Sequence, residues 1–305
     1  MSTFESPKAA AAALVFLVLY TFYTIAAITN SFRIGWKTVY SFLVFYGLVR
    51  FGSQLCGVVF SAVGLAHYQW LIAYLILGAQ GYFTLVYCGF HFIVKGQREK
   101  YGYSWLDPTK EQQREILDSP SSSMFHVLTA KYPIWRSFKM LLIAANVLVI
   151  YGGSSTAGKS IDELNADPDL KNTAKICRTV GQALFLVLTF VVIGVSYYSY
   201  LVEKVQNSYP LKSVMFASPF LIVRGIFGII SIFIPDMDYY STQNYTANGL
   251  NAKFVVYEYV LGTTMEFIAG SLFIASSYLT QSKQKQTVIV EESKSFDSEI
   301  DVPKY

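Results

Sequence analysis

The chain has 305 residues, of which 53% are hydrophobic and only 14% charged, with a formal net charge of +4. A soluble domain carries about 25% charged residues, so one is excluded. So are a disordered chain, which needs high charge, a disulfide-stapled secreted domain, since there are only three cysteines, and a nucleic-acid surface, since the charge is small and spread over loops. What remains is an all-α polytopic membrane protein, a seven-transmembrane-helix bundle.

The first apolar run, about Ala9–Thr29, exceeds the 7–15 residues of a signal-peptide core and is preceded only by Lys8, so it reads as a span. The second, about Val39–Leu65, carries Arg50 and Gln54, and the third, about Trp70–Val94, carries Gln80. The connection from about Lys95 to Arg136 is too long for an ordinary helix–helix link. Within it, Asp107-Pro108 reads as an N-cap and first residue of a short polar helix through Leu117. Met124–Trp135 reads either as a segment in the headgroup interface or as an amphipathic approach to the next span.

The fourth run, about Phe138–Gly153, is the shortest, and the fifth covers about Thr179–Val202. The sixth, about Ser213–Ile234, carries Arg224, and the seventh, about Phe254–Leu279, carries Glu258 and Glu266. Between the last two lies the single N-x-[ST] sequon, Asn244-Tyr245-Thr246, a candidate glycosylation site. From residue 281 to 305 the sequence mixes Lys, Glu, Asp and Ser with little apolar content, and disorder is expected.

An odd number of spans puts the termini on opposite sides. Of 24 basic residues, 16 fall on the side of the third connection and the tail and six on the other, which predicts an exterior N-terminus and a cytosolic C-terminus. The plasma membrane is the expected location, in preference to an endomembrane.

The informative residues are those that hydrocarbon rejects. A charge at the bilayer centre costs on the order of 3 kcal/mol, so such groups face protein or water and find partners. At 1.5 Å per residue, Arg50, Arg224 and Glu266 all fall near the midplane, with Glu258 closer to the outer mouth. Glu258, Gly262, Glu266 and Gly270 recur at four-residue steps on one predicted face. The candidate polar network or ligand site is therefore Arg50, Gln54, Gln80, Arg224, Glu258 and Glu266. It is either a structural core that fixes helix register or a water-accessible cavity. Two arginines sharing one midplane glutamate leave a positive charge for Glu258 or an anion to balance.

No enzyme chemistry, catalytic residue, metal site or cofactor is expected. His67, His91 and His126 lie at different depths and cannot gather around zinc or haem. A retinal Schiff base needs a lysine inside the last span, and Lys253 stands only at its entrance. No P-loop or nucleophile elbow is present.

Gly35-Trp36, Tyr40, Leu48-Val49-Arg50 and Gln54, then Ala217-Ser218-Pro219-Phe220-Leu221-Ile222-Val223-Arg224, then Met265-Glu266-Phe267 together resemble a fungal seven-transmembrane family known only as a domain of unknown function. The resemblance runs through the seven-helix body, with the third loop and tail outside it, and implies a membrane protein without assigning an activity. A looser similarity is to the fungal lipid-translocating exporter family, which also has an Arg in span six and an acid in span seven. This chain lacks that family's Asp after the span-seven Glu-x-Tyr and the aromatic-Arg step after the span-six Arg.

Three functions compete. Transport or handling of a small amphipathic or lipid-like molecule would use the polar cavity. A receptor-like sensor would signal through the long loop and tail, although no Asp-Arg-Tyr or Asn-Pro-x-x-Tyr motif is present. A membrane scaffold would use the polar residues for packing alone. The partners implied are membrane lipids and a small anionic, zwitterionic or lipid-like ligand, with no nucleic acid.

Overall fold

In a computed structural model of the chain, seven helices are long and apolar enough to cross a membrane. They are span one Pro7–Ile34, two Ser41–Val63, three Gln69–Tyr101, four Ile134–Ser154, five Pro168–Leu201, six Tyr209–Phe233 and seven Ala252–Lys283. The structure describes residues 6–64, 67–118, 134–155, 167–246 and 249–300, without the side chains of 115–118, 242, 246, 249 and 284–300. The protein is a multi-pass helical membrane bundle.

Six of the seven spans outrun their apolar stretches, whereas span two, at Ser41–Val63, is shorter than expected. Span five is the largest difference. Asp167 accepts from the Leu170 amide at 3.0 Å and Pro168 takes the first helical position, so eleven polar-rich residues precede Thr179 in the helix. Its 34 residues make about 51 Å, well beyond the roughly 30 Å hydrocarbon core. The last helix likewise continues as backbone to Ile300, where disorder from residue 281 was expected. No Gly or Pro interrupts the sequence between Gly270 and Pro303, so nothing in the chain chemistry ends it earlier.

Span three is the axis of the bundle and packs against spans two, four, five, six and seven. Around it lie Tyr20, Tyr46, Tyr82, Phe90, Phe92, Phe185 and Phe273, all fully buried, whereas Val15, Phe22, Phe32 and Phe216 face outward. Spans four and five meet backbone to backbone. A Cβ on Gly152 would lie 2.6 Å from the Ala174 carbonyl, and one on Gly181 would lie 2.8 Å from the Ala145 carbonyl. These two glycines let the short fourth span seat on the fifth without any G-x-x-x-G motif. Pro219 sits inside span six, where it removes a backbone donor just over one turn before Arg224.

Span seven is not a uniform α-helix. Ala252–Tyr257 is α-helical, Glu258–Thr264 is a π-helix, and α-helix resumes at Met265. Thr264 Oγ1 donates to the carbonyl five residues back, on Tyr259, at 2.7 Å. The four-residue face predicted for Glu258 through Gly270 is therefore broken where the turn widens.

In the third connection the short helix is Lys110–Asp118, and its cap is not Asp107. Thr109 and Gln112 cap it reciprocally, with Thr109 N donating to Gln112 Oε1 at 3.0 Å and Gln112 N to Thr109 Oγ1 at 3.4 Å. Asp107 instead pairs with Arg98 at 2.9 Å. The proposed interfacial segment lies outside the described residues up to 133, while Trp135 packs inward on Phe90 and His91, with ring centroids 5.2 and 4.3 Å away.

The connection between spans six and seven is an ordered cap. Arg178 of span five pairs with Asp238 at 2.8 Å and lies 3.9 Å from the Tyr240 ring centroid. Burial pushes the Tyr240 hydroxyl up to about 12 even though Arg178 pulls the other way. Tyr245–Thr246 and Gly249–Leu250 form a two-residue antiparallel pair.

The sequon asparagine belongs to this cap, which corrects the expectation that it is exposed for a glycan. Asn244 is 2% exposed, and its Nδ2, the atom a glycan would occupy, donates to the carbonyls of Pro235 at 2.6 Å and Asp238 at 2.8 Å. A sequon reports three residue types and nothing of burial. Protein made in a glycosylating host is expected to migrate identically before and after endoglycosidase. Asn244→Ala removes two hydrogen bonds, worth about 0.5–1.5 kcal/mol each, although both carbonyls keep a backbone donor in Asp238 N and Ser241 N, and should lower stability by about 1–3 kcal/mol. A mobility shift on deglycosylation would refute this placement.

Candidate functional site

Spans two, six and seven bring Arg50, Arg224 and Glu266 together deep in the bundle. Arg224 Nε donates to Glu266 Oε1 at 2.6 Å, and Arg50 Nε lies 3.3 Å from Glu266 Oε2. Arg50 and Glu266 are 3% and 1% exposed, and the Arg224 side chain 13%. The Arg50 contact is an ion pair without hydrogen-bond alignment, because that Nε–H is directed to Tyr20 OH at 3.3 Å.

Two tyrosines close this network into a ring. Tyr46 OH donates to the Glu266 carbonyl at 2.8 Å and lies 3.1 Å from Tyr20 OH. Because the Tyr46 proton is used there, Tyr20 donates to Tyr46 and accepts from Arg50. The path Arg50, Tyr20, Tyr46, Glu266 thus links spans two, one, two and seven. Arg224 lies 5.3 Å from the Tyr82 ring centroid, and Tyr82 OH is 2.7 Å from Thr189 Oγ1 on span five.

Span three makes room by omission. A Cβ on Gly81 would overlap Glu266 Oε2 and come within 2.6 Å of Arg50 Cδ, and one on Gly225 of span six would lie 2.6 Å from Tyr82 OH. These glycines, with Tyr20, Tyr46 and Tyr82, were missed in the sequence because tyrosine and glycine pass as ordinary span residues. The available signal was depth, since span tyrosines normally collect at the interfaces.

Gln54 and Gln80 do not join the ion pairs. Gln54 Oε1 accepts from Tyr259 OH at 3.2 Å. Gln80 exchanges amide hydrogen bonds with Asn146 of span four, at 3.5 and 3.2 Å. Such a reciprocal pair is worth about 0.6–1.7 kcal/mol in a membrane. A double-mutant cycle of Gln80→Ala and Asn146→Ala should return coupling in that range from detergent unfolding. Additive losses would mean that the pair is not formed.

Beside the network, toward the bundle end that carries the N-terminus, lies a cavity of about 510 Å³ under the span-six/seven cap. Arg50, Gln182, Arg224 and Glu258 line it, with Leu71, Leu75, Val149, Ile150, Phe227 and Ile232 as apolar wall and Tyr74, Tyr239 and Tyr245 toward the cap. Each arginine spends Nε on the network. Its terminal nitrogens have no hydrogen-bond partner among the described residues. Nη1 of Arg50 and of Arg224 lie 3.5 and 3.3 Å from where a Cβ would stand on Gly78 and Gly228, which also line the cavity. Glu258 has no ion-pair partner among the described residues, and Gly262 leaves space next to its carboxylate. Gln182 Oε1 and Gln54 Nε2 are buried without partners. The charges beside the cavity, two guanidiniums against Glu258 and Glu266, sum to zero, and Glu258 interacts with Tyr74 while lying within electrostatic reach of both arginines. Such an arrangement can bind an anionic group and a cationic group at once.

Among the described residues, no group of three or more His, Cys, Asp or Glu could hold a metal ion, and Cys56, Cys88 and Cys177 are free thiols.

No curated protein and no solved structure matches the chain. Residues 114–282, more than half of the chain, match a family described as Domain of unknown function (DUF7702). The matched stretch begins inside the third connection and covers spans four to seven. It thus includes part of a loop expected to lie outside the resemblance, and leaves out span two with Arg50. It contains Arg224, Glu258, Glu266 and Pro219, and hence the span-six and span-seven halves of the site. On this match the chain belongs to the DUF7702 family of domains of unknown function.

Proposed function

We propose that the protein binds, and transports or otherwise handles, a small amphipathic or lipid-like molecule with an anionic or zwitterionic head, and that the N-terminal end of the bundle faces the exterior. The observation that carries this reading is the convergence on one cavity with apolar walls of two guanidinium groups and a carboxylate that has no salt bridge among the described residues. Its 510 Å³ falls within the roughly 300–1,000 Å³ of small-molecule sites. Packing alone would not require Glu258 to stand without an ion-pair partner, since an ionisable group in a span is costly unless it serves a ligand or a water path. The balanced charge favours a zwitterion: its anion on Arg50 and Arg224, its cation against Glu258 and the Tyr74 and Tyr239 rings.

The test uses lysophosphatidylcholine and a monoacylglycerol of the same chain length on the purified protein in detergent. Lysophosphatidylcholine should raise the melting temperature and the monoacylglycerol should not, and the difference should vanish in Glu258→Gln. Equal shifts from both would sink the headgroup reading. Dithionite quenching of a fluorescent lysophosphatidylcholine in proteoliposomes then separates a carrier, which exposes the label from both leaflets, from a receptor or scaffold, which binds without translocation.

A further inference from the structure

At the opposite end of the bundle a second cavity, of about 390 Å³, is enclosed by the end of span three, the 202–208 connection and span seven. Its chemistry differs from the first. Lys100, Lys204 and Lys283 line it against a single carboxylate, Glu99. That carboxylate is already engaged, with Lys95 at 3.8 Å and Ser208 Oγ donating at 3.1 Å. Lys100 Nζ donates to the Glu203 and Lys204 carbonyls at 2.5 and 2.9 Å, neutral acceptors that hold the ammonium in place without cancelling its charge. The nearby Glu203 carboxylate is turned away, accepting from Trp105 Nε1 at 2.6 Å and Gln97 Nε2 at 3.0 Å. Lys100, Lys204 and Lys283 thus border one pocket with Glu99, and Lys283 Nζ also lies 5.9 Å from the Tyr209 ring centroid.

The backbone adds an independent observation. Lys204 has φ 54°, and among the described residues it is the one non-glycine in the left-handed region. Glycine, asparagine or aspartate takes that conformation with least strain, and lysine does not. The turn ends span five, with Val205 N donating to the Ser199 carbonyl at 3.0 Å, and such C-terminal turns commonly hold one left-handed residue, usually glycine. Here it supplies what glycine would not, a cation on the cavity wall.

We propose that this pocket binds the phosphomonoester headgroup of an anionic phospholipid in the adjoining leaflet. A phosphodiester lipid offers one negative charge to this basic lining. A phosphomonoester carries about −1.5 to −2 and presents three strong acceptor oxygens, which matches rotating ammonium donors. Basic pockets between spans at the headgroup level recognise such lipids. The volume lies in the range of small-molecule sites, about 300–1,000 Å³, and Asn207, Ser208 and Thr280 line it with neutral polar groups. The site shares no residue with the Arg224 cavity, so it stands or falls separately.

Native mass spectrometry of the full chain tests it, with phosphatidylinositol monophosphate, phosphatidylinositol and phosphatidylcholine of equal acyl composition, and with soluble inositol phosphate and inorganic phosphate as further arms. The wild type should retain the monophosphate lipid about tenfold better than phosphatidylcholine. Lys204→Arg should keep the preference, and Lys204→Glu with Lys283→Glu should abolish it. Lys204→Gly is the decisive variant: the preference should fall several-fold while the melting temperature in phosphatidylcholine holds or rises, because the backbone strain is relieved. Arg224→Met should leave the preference intact. A wild type without preference, or a Lys204→Gly protein that keeps it in full, overturns the proposal. Soluble inositol phosphate or inorganic phosphate bound as tightly as the lipid would assign the pocket to a free phosphate and overturn the lipid source.

Discussion

Glu266→Gln is expected to lower the unfolding free energy by about 3–5 kcal/mol, the cost of removing one partner from a buried ion pair. One carboxylate serves both Arg224, at 2.6 Å, and Arg50, at 3.3 Å, and it is 1% exposed. The amide keeps the shape but not the charge, so two guanidiniums remain in a low-dielectric interior facing a neutral group. The Tyr46 bond to the Glu266 carbonyl survives, because it is made to backbone. The measurement is reversible denaturation in mixed micelles. Adding Arg224→Gln to Glu266→Gln should recover part of the loss by removing one stranded cation. A loss below about 1 kcal/mol would refute the ion pair.

The second large effect is expected from a methyl group. Gly81→Ala would drive its Cβ into Glu266 Oε2 and to within 2.6 Å of Arg50 Cδ. Neither side chain is free to retreat: Arg50 is held by Tyr20, and Glu266 by Arg224. Overpacking of this kind costs about 1–3 kcal/mol. Because it parts the two charges as well, lipid-induced stabilisation at the neighbouring cavity should also be lost. The control is Gly194→Ala in span five, where a Cβ meets nothing within 4 Å and the substitution should be neutral or mildly stabilising. Equal effects at both positions would show that helix propensity, and not the contact with Glu266, decides the outcome.

Where the solvent restricts choices most, the sequence was easiest to read. Hydrocarbon forbids isolated charge, so Arg50, Arg224 and Glu266, placed near one depth by counting residues, had few partners other than one another. The amides were less constrained. Gln54 and Gln80 each had many hydroxyl and amide partners within reach, and Tyr259 and Asn146 took them. Asn244 was misread because the same side chain serves equally as a glycan acceptor or as a turn-forming donor, and local sequence does not distinguish them. The glycines opposite Arg50 and Tyr82 became meaningful only once helices from distant parts of the chain were set side by side.

The π segment at Glu258–Thr264 has a consequence for chain length. A π turn is an α-helix holding one residue more than its pitch accommodates. Deleting a single residue between 259 and 263 would let the helix close with ordinary hydrogen bonds, so the deletion sacrifices little helical structure. It would also leave everything before it nearly in phase with Met265 and beyond, because the wide turn already absorbs the residue that is removed. Glu266 would keep both arginines and Glu258 the cavity wall, whereas the same deletion from a regular α-helix would turn one carboxylate about 100° away from the other. The segment between the two carboxylates thus tolerates a change in its residue count that an ordinary helix would not.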